Sequence, residues 1–162
     1  AAEQELLIAR SMKASAAILE RQLAEVKLAQ GDVSAALAIY REAMVRYPLN
    51  QALNYGYGQA LIKVKRYDEA LKFADMQLLS YPQDVRLHKM RAESYAGLGR
   101  GAQQHQALAE VFSLQGQTAG AIDQLQHAQK AGDANFYEQS VIEARLRELR
   151  KRLLEEQKEK RN

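Results

Sequence analysis

The chain has 162 residues, 47% of them hydrophobic and 27% charged, enough for a sizeable core within one domain. No run approaches the roughly eighteen uninterrupted apolar residues of a membrane span. No basic-then-apolar leader opens the chain, and Ala1 in place of an initiator Met points to a mature chain or a piece of a longer one. The absence of cysteine excludes a disulfide framework, thiol catalysis and thiolate metal sites, while fitting a reducing or an oxidising compartment equally. The net charge is only +3, and the basic excess of "ARLRELRKRLLEEQKEKRN" is interleaved with Glu. No basic stripe with stacking aromatics results, which argues against nucleic acid as a partner.

In chain order, residues 1–13 read as the second helix of an earlier, truncated hairpin. In the helix ahead of Gly31, Leu19, Leu23, Val26 and Leu28 approximate one apolar stripe, and Val33, Leu37, Tyr40 and Met44 make another after it. Tyr47-Pro48 recurs as Tyr81-Pro82, 34 residues on, and breaks at Gly31, Pro48, Lys65, Pro82, Gly99, Gly116 and Asp133 are spaced by 17. Gly accepts the left-handed backbone of a helix C-cap, and Pro cannot extend the ladder of amide hydrogen bonds. A comb of amphipathic helices follows. No hairpin of such a comb buries its stripe alone, so the spacing predicts an all-α solenoid of stacked antiparallel hairpins. The expected organisation is a single domain, 1–162, with a partial N-terminal helix at 1–16. Repeats follow at 17–50, 51–84 and 85–101/102–135, then a capping helix and charged tail at 136–162. In that tail Ile142, Leu146, Leu149 and Leu153 continue one stripe, Glu143 and Arg147 cover the outer face, and "EEQKEKRN" lacks apolar anchors and is expected to fray.

A 34-residue helix-turn-helix unit resembles the tetratricopeptide repeat (TPR), with its W-x2-L-G-x2-Y, A-x3-F and P signature. Residues 51–84 match it with Tyr57, Gly58, Leu61, Ala70, Ala74 and Pro82, Asn54 standing at the Trp place. In 17–50 the matches are Leu23, Ala24, Ala36, Tyr40 and Pro48, while Glu20 and Lys27 depart from the aromatic places. The resemblance puts Gly58 where two helices cross closely, so that Gly58→Leu is expected to overpack by about 1 to 3 kcal/mol. Gly56 has no place in the signature, and Gly56→Ala is expected to be neutral or stabilising. Past Gly99 the pattern slips. Ala92 and Tyr95 match a first helix, but His105, Leu108, Ala109 and Phe112 match a first helix again, and Ala121 with Leu125 a second. An irregular half-repeat near 99–116, with a pocket or docking surface beside it, is the expectation.

The last third resembles the C-terminal region of the β-barrel assembly-enhancing proteases, through "HQALAE" (His105 to Glu110), "AIDQL" (Ala121 to Leu125) and "FYEQSVIEARLREL" (Phe136 to Leu149). These are periplasmic zinc metallopeptidases of Gram-negative bacteria with a TPR domain after the catalytic one. The resemblance implies a periplasmic, non-catalytic interaction domain in outer-membrane protein quality control. Its implied partners are the β-barrel assembly machinery, β-barrel substrates and the protease domain of its own chain, on which "EARLRELR" could dock. The competing reading is a free-standing TPR adaptor or scaffold without a protease.

Catalytic chemistry is not legible. A helical HExxH sets two imidazoles and a Glu on one face for zinc hydrolysis, and none exists here. His88, His105 and His127 each stand alone on their own helix. On the family resemblance the zinc and the catalysis belong to a separate N-terminal domain, and no cofactor or metal is expected in this chain. "GLGRGA", Gly97 to Ala102, imitates a dinucleotide fingerprint but separates two helices instead of following a strand.

In TPR arrays the first helix of each hairpin lines the concave face. That resemblance selects Arg21 and Glu25, then Tyr55, Gln59 and Lys63, then Arg86, Lys89 and Glu93. If helix 102–115 also faces inward, Gln103, Gln106 and Glu110 join them. The face is polar, amide-rich and partly basic, and suits peptide backbone with mixed side chains. Glu25 and Gln59 stand where the chaperone-tail clamp of some TPR proteins needs Asn, and a carboxylate there repels an incoming one.

Overall fold

The structure, a computed structural model, describes residues 2–160, with side chains at Met12 and from Ser15 onward. The described residues form eight α-helices and no strand: α1 (Ala2–Ala29), α2 (Val33–Arg46), α3 (Gln51–Lys63), α4 (Tyr67–Ser80), α5 (Val85–Gly97), α6 (Gly101–Leu114), α7 (Thr118–Lys130) and α8 (Phe136–Glu159). They fall into two compact units, one holding α1–α3 and ending at Arg66, the other starting at Tyr67 and holding α4–α8.

The 17-residue comb arises from two alternating kinds of helix stop. At the first kind the chain enters the left-handed region, with φ of 83° at Gly31, 61° at Lys65 and 70° at Gly99. There the N–H groups of the last turn fold back as a Schellman motif: at Gly31, Gly31 N donates to Leu28 O (3.1 Å) and Asp32 N to Lys27 O (2.9 Å). At the second kind, Pro48 and Pro82 occupy the position of a β-turn that favours their fixed φ, closed by Asn50 N to Tyr47 O (3.0 Å) and Asp84 N to Tyr81 O (3.1 Å). Asn50 and Asp84 then cap the next helix through their side chains, accepting from Leu53 N and from Arg86 and Leu87 N. The expected slip is visible in this alternation. Gly116 (φ 74°), where a Tyr-Pro turn is due, repeats the Schellman stop of Gly99. Between the two lies α6, packed on both α5 and α7.

In the first unit α1 packs on α2 and α3, and α2 on α3. Its core is Ala17, Ala24, Ala36, Leu37, Tyr40, Ala43, Leu53, Tyr57 and Leu61. Three expectations fail here. Residues 2–13 do not form a separate helix: they continue without a break into the 28-residue α1. The stripe Leu19, Leu23, Val26 is exposed, because α1 instead turns Ala17 and Ala24 inward, where small side chains let its backbone approach its neighbours closely. Gly56 is not a tolerated glycine. A Cβ there would lie 2.8 Å from Cε1 of the buried Tyr40 ring, so α3 approaches α2 at this residue. Gly58 is buried, as expected.

In the second unit Ala109, Ala121, Ile122, Leu125, Ala128, Ile142, Leu146 and Leu149 form one cluster joining α6, α7 and α8. The α8 stripe is as read from sequence, and Glu143 and Arg147 face out. The tail differs. Helix α8 runs to Glu159, tied down where Thr118 Oγ1 donates to Glu156 Oε1 at 2.7 Å and Arg152 Nε to the same oxygen at 2.9 Å. The Thr118 bond foremost holds the Glu156 carboxyl below its ordinary range. Asn135 opens α8 with a capping box to Glu138. "GLGRGA" is an interhelical turn, and its first glycine serves packing: a Cβ on Gly97 would come within 2.5 Å of the Tyr67 ring.

Candidate functional site

Helical spacing in the second unit gathers a pocket of about 290 Å³. Arg91 and Tyr95, four apart on α5, form one wall, and Gln103, Gln106, Ala107 and Glu110, at i, i+3, i+4 and i+7 on α6, form the floor. Leu125 of α7 and Val141 and Arg145, four apart on α8, complete it. Val141 and Arg145 flank the buried stripe of Ile142 and Leu146, so packing that stripe on α6 and α7 swings the pair over the pocket.

Charge in the pocket is largely neutralised within it. Arg145 grips Glu110 with two bonds, Nε to Oε1 at 2.9 Å and Nη2 to Oε2 at 2.8 Å, and its Nη1 pairs with Glu148 at 2.7 Å. Partial burial works against the guanidinium's charge, but the bonds to Glu148 and Glu110 outweigh it and raise the Arg145 pKa above its ordinary value. Arg91 Nε stands 2.8 Å from Asp75 Oδ1 as an ion pair whose N–H is not aimed at the oxygen, while its guanidinium lies 5.8 Å from the Tyr95 ring centre. Gln103 Nε2 donates to Glu138 Oε1 at 2.6 Å. Its own Oε1 is buried and accepts no hydrogen bond among the described residues. The pocket thus offers the Gln106 amide and the apolar surface of Ala107, Leu125 and Val141, with its charged side chains paired.

The sequence-selected residues divide among three places. Gln103, Gln106 and Glu110 meet in the pocket. Lys89 and Glu93 line a shallower depression on another face of α5 and α6, with Ala92, Ala96, Gln104 and Leu108, and Arg86 is exposed in the first turn of α5. In the first unit Arg21 and Glu25 pair with each other at 3.6 Å, Tyr55 is half-buried, and Gln59 and Lys63 are exposed on α3. Burial foremost, then the Glu25 charge, pushes the Tyr40 phenol up to about 12, the Arg21 charge opposing. Arg91, Tyr95, Val141 and Arg145 were not selected. The signal for them was the four-residue spacing of Val141 and Arg145 beside the core stripe of the last helix.

The sequence and fold place this chain among known proteins at the level of class. The tetratricopeptide-repeat family model matches residues 27–93. MamA 41-end from Desulfovibrio magneticus RS-1 superposes with a TM-score of 0.50 at 17% identity, covering 82% of this chain and 74% of that one. A thermophilic TPR protein of Thermus thermophilus aligns at TM-score 0.44 and 19% identity, covering 82% and 80%. The fold is all-α and TPR-like. Among individual proteins, the chain is 26% identical over 129 residues to the beta-barrel assembly-enhancing protease of Yersinia pestis, covering 80% of this chain and 26% of that protein. It therefore spans about a quarter of that relative's length. A hydrolytic zinc site does not fit these residues: no HExxH is present, and the described residues bring no three His, Cys, Asp or Glu side chains together for a metal.

Proposed function

We propose that this chain is the partner-binding domain of a periplasmic zinc metalloprotease of the β-barrel assembly-enhancing type, and that it engages the outer-membrane β-barrel assembly machinery and its substrates. The likeness to the Yersinia pestis protease over 80% of the chain carries the reading. TPR domains mediate protein–protein interactions, which is the role this fold supports. In this reading catalysis and its zinc reside in a separate domain of the parent chain, and the present residues only hold partners. The pocket of α5–α8 suits a peptide segment: Gln106 offers an amide to its backbone, and Ala107, Leu125 and Val141 an apolar surface to one side chain.

A photo-cross-linking amino acid at Gln106 in the parent protein, in Gram-negative cells, is expected to yield adducts with β-barrel assembly proteins. The same probe at Glu143, exposed on the outer face of α8, is expected to yield few. Equal adducts from both positions, or none containing an assembly component, would reject the reading.

A further inference from the structure

Two of the histidines that stand alone in sequence are neighbours in the fold. The rings of His105 on α6 and His127 on α7 lie with centroids 5.3 Å apart and planes tilted by 30°. We propose that this pair holds a divalent transition-metal ion of the imidazole-binding class, Zn²⁺ foremost, at the surface of the α6–α7 pair. The proposal is independent of the partner-binding reading.

Three observations carry it. The first is spacing. Zinc–nitrogen bonds of about 2.05 Å set each ring centroid about 3.2 Å from the metal, so two imidazoles on a tetrahedral ion have centroids about 5.2 Å apart. The observed separation already matches. The second is the hydrogen bond on the other side of His105, whose Nδ1 lies 2.9 Å from Gln124 Oε1. An amide oxygen only accepts, so Nδ1 carries the proton and Nε2 keeps its lone pair for a metal. Fixing a ligand's tautomer through its far nitrogen is how outer groups prepare a histidine to coordinate. The third is access. His127 is exposed, while half-buried His105 is held by Gln124. Exposed Asp123 and Lys130 flank His127 on α7 with opposite charges, so the local field neither attracts nor repels a cation strongly. No third His, Cys, Asp or Glu joins the pair among the described residues, which leaves two positions on the ion for water or for a side chain from a bound partner. His88 is not involved: it is buried, with Nε2 2.9 Å from Pro82 O.

Zn²⁺ is titrated into the untagged chain at neutral pH, with calorimetry for stoichiometry and imidazole NMR for location. One saturable site per chain is expected, with the His105 and His127 resonances moving together and His88 unmoved. H127Q, which alters an exposed side chain, is expected to remain folded by circular dichroism and to lose the site. Q124A is expected to keep both ligands and weaken binding about tenfold. The thermal midpoint of the wild type is expected to rise with Zn²⁺, and that of H127Q to stay fixed. Absence of saturable binding, undiminished binding by H127Q, or shifts centred on His88 would each overturn the assignment.

Discussion

Gly56 shows how one residue can be misjudged from sequence. Composition makes it a weak point of α3, since glycine costs a helix interior roughly 1 kcal/mol relative to alanine. The Tyr40 ring reverses that expectation. With a methyl group 2.8 Å from a ring that is only 1% exposed, Gly56→Ala should destabilise by about 1 to 3 kcal/mol, measured by urea denaturation. Lys65 works in the opposite direction. It holds φ at 61° where the equivalent stops carry glycine, and a side chain there costs about 1 to 2 kcal/mol, partly offset by a stiffer unfolded chain. Lys65→Gly should therefore raise stability by roughly 0.5 to 1 kcal/mol in the same measurement. Tyr40 itself is a pH reporter. From about pH 10 an unfolded tyrosine loses its proton, whereas the buried phenol keeps it until about 12. The unfolded state then binds fewer protons, so stability is intact below that window and falls as pH rises through it, by on the order of 1 to 2 kcal/mol. The denaturation midpoint of wild type should fall relative to that of Tyr40→Phe as pH rises across that range. Parallel curves would refute the burial account.

Helix α6 is an element whose stability lies partly outside itself. Its N-cap, Arg100, makes no side-chain bond, and the first amides are taken by Asp133 from the α7–α8 connection: Gly101 N to Oδ2 at 2.6 Å and Ala102 N to Oδ1 at 2.9 Å. A carboxylate at a helix N-terminus satisfies orphan donors and meets the positive end of the dipole. Asp133→Ala should cost about 1 kcal/mol, with hydrogen exchange quickening first at Gly101 and Ala102. In sequence Asp133 was legible only as a break, because a cap supplied 32 residues away leaves no local pattern. The helices were legible almost to the residue, since Gly, Pro and their 17-residue spacing act through local backbone geometry. Helix α1 was not. It carries apolar residues on two sides, and periodicity cannot say which one packs; close backbone approach favoured the side bearing Ala17 and Ala24.

Across the whole molecule, the site was half legible. Gln103, Gln106 and Glu110 of the pocket can be chosen from the phase of α6, whereas the residues chosen on α5 lie outside it. Lys89 and Glu93 face another depression, and Arg91 and Tyr95 face the pocket. Arg145 comes from 35 residues beyond Glu110, and tertiary pairing of that kind has no signature in one sequence. Its grip on Glu110 joins α8 to α6 across the pocket. A double-mutant cycle with E110Q and R145Q should return a coupling of about 1 kcal/mol, as for a half-exposed bidentate pair. A coupling near zero would show that apolar packing alone holds α8 there.

The cap that Asp133 lends to α6 also bears on how the protein is made. As the nascent chain leaves the ribosome, α6 emerges with its leading amides open, and they stay open until another 32 residues have followed. The α5–α6 pair can coil early, but it gains its final closure only once the connection that follows α7 has emerged.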